Sequence, residues 1–147
     1  MKLKIILLIL GLITCFMFIK NNMTPQNLGV NNGKLAEMPS SPNAVSSQAK
    51  TEEKKVSPLA YVENKSKSKL KIENIINEYK SAKIVTNDEN YIHVVFTTSA
   101  MKFKDDVEFY FDEENEVIHY RSASRIGYSD MGMNRARYDE LVAKYNQ

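Results

Sequence analysis

The densest group of side chains able to do chemistry lies in one stretch, RSASRIGYSDMGMNR, residues 121–135, with three arginines, three serines, two glycines, an aspartate and an asparagine. Lysine provides most of the chain's cations. Yet all four arginines, Arg121, Arg125, Arg135 and Arg137, fall among the last five of twenty cationic residues. An ammonium is a point charge, whereas a guanidinium is a planar fork that grips a carboxylate or a phosphate through two parallel hydrogen bonds. The stretch therefore asks for directional pairing, and two arrangements supply it. In the first, the arginines close on the chain's own Asp105, Asp106, Glu108 and Asp130, with Asn134 beside them, as a staple joining the last strand, its loop and the last helix. In the second, they hold an external anion at the N-terminus of that helix, where backbone N–H groups point outward. Arg135 and Arg137 lie in the first turns of the helix, where its dipole disfavours cations, so both need partners.

An enzyme built here would act on an anionic substrate, with Arg121, Arg125 and Arg135 as clamps and Asp106 or Asp130 as base. The other combinations carry less. Asp105 and Asp106 are neighbours on a strand and point to opposite faces, which keeps them from sharing a substrate. His93 and His119 lie on different strands with no cysteine and no clear carboxylate spacing, a poor metal set. Ser122, Ser124 and Ser129 stand outside any GxSxG or SxxK motif. The expectation is of no catalytic residue, no metal and no cofactor, and of a binding or structural domain.

The elements that must position these residues are legible from periodicity. From Lys69 on, Ile72, Ile75, Ile76 and Tyr79 recur at helical spacing with polar residues between them. Ala82 to Thr86 reads as a short strand, Asn87 to Asn90 as a turn, and Tyr91 to Ser99 as its β-branched partner. Val107, Phe109 and Phe111 alternate with polar residues, Glu113 to Glu116 turns, and Val117 to Ser124 returns. Tyr138, Leu141, Val142 and Tyr145 mark the closing helix. The prediction is an α+β domain, a four-stranded antiparallel sheet of two hairpins with an N-terminal and a C-terminal helix on one face. In the second hairpin, pairing Asp112 with Val117 sets Phe109 opposite Tyr120 and Glu108 opposite Arg121. Val107, Phe109, Phe111, Ile118 and Tyr120 then share the core side, and Asp106, Glu108, Tyr110, His119 and Arg121 the polar side.

Residues 1–20, MKLKIILLILGLITCFMFIK, are a basic start, fifteen uncharged residues from Ile5 to Ile19, and Lys20. As a helix the apolar run reaches ~22 Å against a hydrocarbon core of ~30 Å, the length of an export signal. No small-x-small site follows it, which favours a retained signal anchor over a cleaved peptide. Leu12-Ile13-Thr14-Cys15 is a faint lipoprotein-like box, opposed by Thr14 before the cysteine and by Phe16-Met17-Phe18 after it. Cys15 is the only cysteine, so no internal disulfide forms. The lysines before the run put the N-terminus in the cytoplasm and the domain outside, periplasmic or extracellular. Residues 21–35 read as a polar, asparagine-rich tether and 36–147 as the domain. Beyond the anchor the chain holds seventeen basic against eighteen acidic residues, too little positive field for nucleic acid. The partners expected are the membrane, through the N-terminal segment, and an anionic lipid or an envelope protein.

PSSPNAVSSQ at residues 39–48, DDVEF at 105–109 and RSASRIGYSDMGMNR, in this order, resemble a bacterial and plant family called domain of unknown function 1499. The resemblance implies a small extracytoplasmic or membrane-tethered protein and brings no activity with it. It also implies that residues 39–48 pack on or near the domain. Family members commonly carry a cysteine on each side of the PSSPN-like block, where this chain has Met38 and Ala44.

Overall fold

In a computed structural model, which describes residues 2–147, the chain forms three α-helices and a six-stranded antiparallel sheet. Helix α1 is Lys2–Asn22; β1 is Ala44–Ser46 and β2 Leu59–Ala60; α2 is Lys65–Asn77. Strands β3 (Ala82–Asp88), β4 (Tyr91–Thr97), β5 (Lys104–Asp112) and β6 (Val117–Ser124) follow, and α3 (Met133–Tyr145) ends the fold. The sheet order is β1-β6-β5-β4-β3, with β2 also pairing to β6 beyond β1.

The α+β class stands, but the expected four strands become six. The additions are three- and two-residue pieces that lie on β6 in antiparallel register, Ala44 against Ala123 and Leu59 against Ile118. Pieces this short show no alternation, and the prolines around them read as irregular chain. The first hairpin also pairs further, Asn87 with Ile92 and Asp88 with Tyr91, leaving only Glu89 and Asn90 to turn, with a bulge between Ile84 and Thr86. Helix α2 begins at Lys65, four residues before the expected start at Lys69, because the Asn64 side chain caps it by accepting from the Lys67 N–H at 3.0 Å.

The β5–β6 register is the one alternation predicted, with Asp112 against Val117, Phe109 against Tyr120 and Glu108 against Arg121. Phe109, Phe111, Ile118 and Tyr120 are buried with Ile92, Val94 and Phe96 under Ile72, Ile75 and Ile76 of α2 and Tyr138, Leu141 and Tyr145 of α3. One apolar layer thus joins both helices to one sheet face. At about 25 cal/mol per Å² of apolar surface, such a layer dominates the favourable side of folding.

The opposite face is polar yet also covered. Residues 21–35 run against it: the Gly29 N–H donates to Glu108 Oε1 at 2.8 Å, and Leu35 is buried with its N–H on Gln48 Oε1 at 2.8 Å. Helix α1 is exposed along its apolar length and touches the domain through its last turn, where Asn21 is buried. Its 21 residues make it long and apolar enough to cross a membrane. At ~1.5 Å per residue it extends ~31 Å, more than the apolar run alone provides.

Candidate functional site

Strand β6 places its polar residues by simple alternation. In Arg121-Ser122-Ala123-Ser124-Arg125 the arginines take the polar face and the serines turn under the helices, so one pentapeptide feeds two networks.

On the polar face, Arg121 Nη1 donates to Glu108 Oε2 at 2.7 Å, and Glu108 Oε1 accepts from the Tyr91 hydroxyl at 2.8 Å as well as from Gly29. Arg125 grips Asp106 with both prongs of its fork, Nε to Oδ2 at 2.8 Å and Nη2 to Oδ1 at 2.7 Å. His93 Nε2 meets the same Asp106 Oδ1 at 2.8 Å. The third arm, Arg125 Nη1, donates to the Asn21 carbonyl at 3.2 Å. Asp106 and Glu108 are fully buried, and Arg121 and Arg125 nearly so. Burial pushes the Asp106 carboxyl up, but hydrogen bonds and charge from His93 and Arg125 outweigh it and hold the carboxyl below its ordinary 3.8. The Tyr91 hydroxyl is pushed far up by burial and by the charge of Glu108.

Under the helices, Asp105 faces the other way and pairs with Arg137 Nη2 at 2.5 Å. The Arg137 guanidinium lies 4.6 Å from the centroid of the Phe96 ring and donates through Nη1 to Ser122 Oγ at 3.0 Å and Asn134 Oδ1 at 2.7 Å. Asn134 is the hub. Its Nδ2 donates to the Asn43 carbonyl at 3.0 Å, Ser124 Oγ at 3.1 Å and Asp130 Oδ2 at 2.7 Å, and Ser122 donates to its Oδ1. Asp130 accepts from the Gly132 N–H at 3.1 Å and the Asn134 N–H at 2.7 Å, occupying the exposed donors at the start of α3. Gly132 has φ +80° and Gly127 φ +91°, left-handed conformations that turn the chain from β6 into α3.

The structure therefore brings Asp106, Glu108, Arg121 and Arg125 together on one face, and Asp105, Asp130 and Asn134 on the other. Arg135 joins neither, since its Nη2 donates to the carbonyls of Glu53 and Lys55 at 2.9 and 3.0 Å. Asp105 and Asp106 diverge as strand neighbours must. Sequence reasoning did not place Arg137 among the site residues, although its position in the first turn of α3 pointed to a required partner. His93, Tyr91, Asn21 and Asn43 were also missed. The Asn43 side chain ties the 39–48 segment to the loop after β6, donating to the Gly127 carbonyl at 2.7 Å, while Ser47 Oγ accepts from the Tyr120 N–H at 2.9 Å.

These features define an α+β domain stapled internally by arginines and joined at its N-terminus to an apolar helix. Residues 34–144 match the family model described as Protein of unknown function (DUF1499), and the chain belongs to that family. No curated protein and no solved structure matches the chain.

Proposed function

We propose that this chain is a non-catalytic domain tethered to the cytoplasmic membrane by α1 and held on its outer side, where it binds or braces other envelope components. One observation carries the non-catalytic reading: every arginine of the cluster is already engaged by the chain's own oxygens. At Arg125 an entering phosphate or carboxylate would have to displace the buried Asp106 carboxylate from a two-pronged pair, and at Arg121 and Arg137 it would have to displace the buried Glu108 and Asp105, leaving a charge in a dry site. Asp106 and Asp130 are equally committed, the first to Arg125 and His93, the second to the start of α3. What supports the location is the basic start, the exposed apolar helix and the lack of a cleavage site after it.

The full chain with a C-terminal tag should stay at full length in the carbonate-washed membrane pellet. In spheroplasts it should lose its tag to added protease. In lipid nanodiscs, inorganic phosphate should leave its melting temperature unchanged. A soluble processed chain, or a tag protected in spheroplasts, would overturn the location. A saturable phosphate-dependent rise that Arg125→Lys abolishes would overturn the closed-staple reading on which the non-catalytic one rests.

A further inference from the structure

The loop between β4 and β5, residues 98–103, has two sides. Its backbone toward the polar face is bonded to the last turn of α1: Asn21 Nδ2 donates to the Lys102 carbonyl at 2.9 Å, and the Lys104 N–H donates to Asn21 Oδ1 at 2.9 Å. Its alternate side chains, Met101 and Phe103, form one wall of an open groove of about 670 Å³. Phe96 and Tyr79 line the groove further in, and Met133 and Ala136 of α3 form the far wall. The volume lies within the ~300–1,000 Å³ usual for sites that bury a small ligand.

We propose that this groove takes an acyl chain of a lipid from the bilayer that holds α1, an inference that rests on the reading of α1 as a retained anchor. The hydrogen bonds of Asn21 fix the loop that forms one wall of the groove to the end of α1, so the groove lies one loop away from the point where the apolar helix meets the domain. Most of its exposed lining is apolar, from Met101, Met133 and the aromatic rings, with Arg137 and Glu140 as its charged members, and methionine's unbranched, rotatable side chain conforms to a flexible hydrocarbon. The surrounding surface is apolar where a soluble protein would be polar: Met101 is 67% exposed, Tyr128 78%, Met131 95% and Met133 46%. Arg125, bonded to the Asn21 carbonyl, begins the loop that carries Tyr128 and Met131 toward Met133, so these residues belong to the same end of the domain. Lys102 and Lys104 lie at the junction with the end of α1, where Lys104 Nζ donates to Asn22 Oδ1 at 2.8 Å, and Lys20 precedes Asn21 in the helix itself. Cations at this level meet the phosphates of lipid headgroups while the groove receives the tail.

The chain contains no tryptophan, so a single introduced one reports its own surroundings. Three variants of the full chain are placed in vesicles of phosphatidylethanolamine and phosphatidylglycerol with brominated acyl chains: Phe18→Trp in the anchor, Phe103→Trp in the groove, and Asn115→Trp in the β5–β6 turn at the opposite end. Quenching of Phe18→Trp and Phe103→Trp by about twofold or more, with Asn115→Trp unaffected, is the expected result. Quenching of Phe18→Trp alone overturns the groove and leaves the anchor standing. No quenching of Phe18→Trp overturns the anchor and the groove with it. Equal quenching at Asn115→Trp also overturns the inference, since the groove would then have no preference for lipid. Met101→Trp, at an exposed position, repeats the measurement if Phe103→Trp does not fold.

Discussion

Arg125 has three attachments on one guanidinium: two to Asp106 and one to the carbonyl of Asn21. An ammonium at that position can keep the charge but not the parallel bonds, which is why lysine, abundant elsewhere, is absent here. Arg125→Lys should lower stability by about 2 kcal/mol and Arg125→Met, which leaves Asp106 buried beside His93 alone, by about 3–5 kcal/mol. Thermal melts of the full chain in nanodiscs check both, and equal melting of Arg125→Lys and the parent would refute the need for the fork. The arginine-over-lysine bias made this demand visible in the sequence. The acidic partners on β5 were legible too, since the hairpin register sets Glu108 opposite Arg121, whereas His93, Tyr91 and Asn21 were not, because they depend on how β4 and the N-terminal segment meet around the site.

Among the elements, the start of α3 depends on a residue that is polar, wholly buried and bonded on both sides of its amide. Asn134 connects β1 through Asn43, β6 through Ser122 and Ser124, and its own helix through Asp130 and Arg137. Asn134→Ala should cost about 3 kcal/mol by leaving several of those groups unpaired. Amide exchange should accelerate in β1 and the first turn of α3 while the β3–β4 hairpin keeps its protection; uniform acceleration would show that the site is not local. Elements with strong alternation, such as β5 and β6, were readable to the residue, because a one-residue slip would turn Phe109 and Tyr120 outward. β1 and β2 were not, since their reason for existing is the free edge of β6 and not a pattern of their own. The 21–35 segment hid its role for a related cause: it covers the sheet with a backbone N–H on Glu108 and not with an apolar stripe.

For the molecule as a whole, buried carboxylates set the response to acid. Asp106 is held below its ordinary 3.8, so the unfolded chain takes up this proton at a higher pH than the folded one. Its stabilising contribution is complete above 3.8 and is lost as pH falls through the lower folded value. Asp112, held low by hydrogen bonds from Asn115 despite partial burial, loses its contribution in the same direction. Denaturant melts at descending pH should show stability falling steeply below 3.8, and Asp106→Asn should be less stable at neutral pH but decline less steeply in that acid window. A parallel decline in both would remove Asp106 from the account. The junction at Asn21 has a mechanical consequence. A flexible leash would let the domain tumble and sweep a hemisphere, whereas a last turn bonded at Lys102, Lys104 and Arg125 acts as a bracket. Tilting the helix tilts the domain with it, so a sideways force on one is felt as a torque on the other.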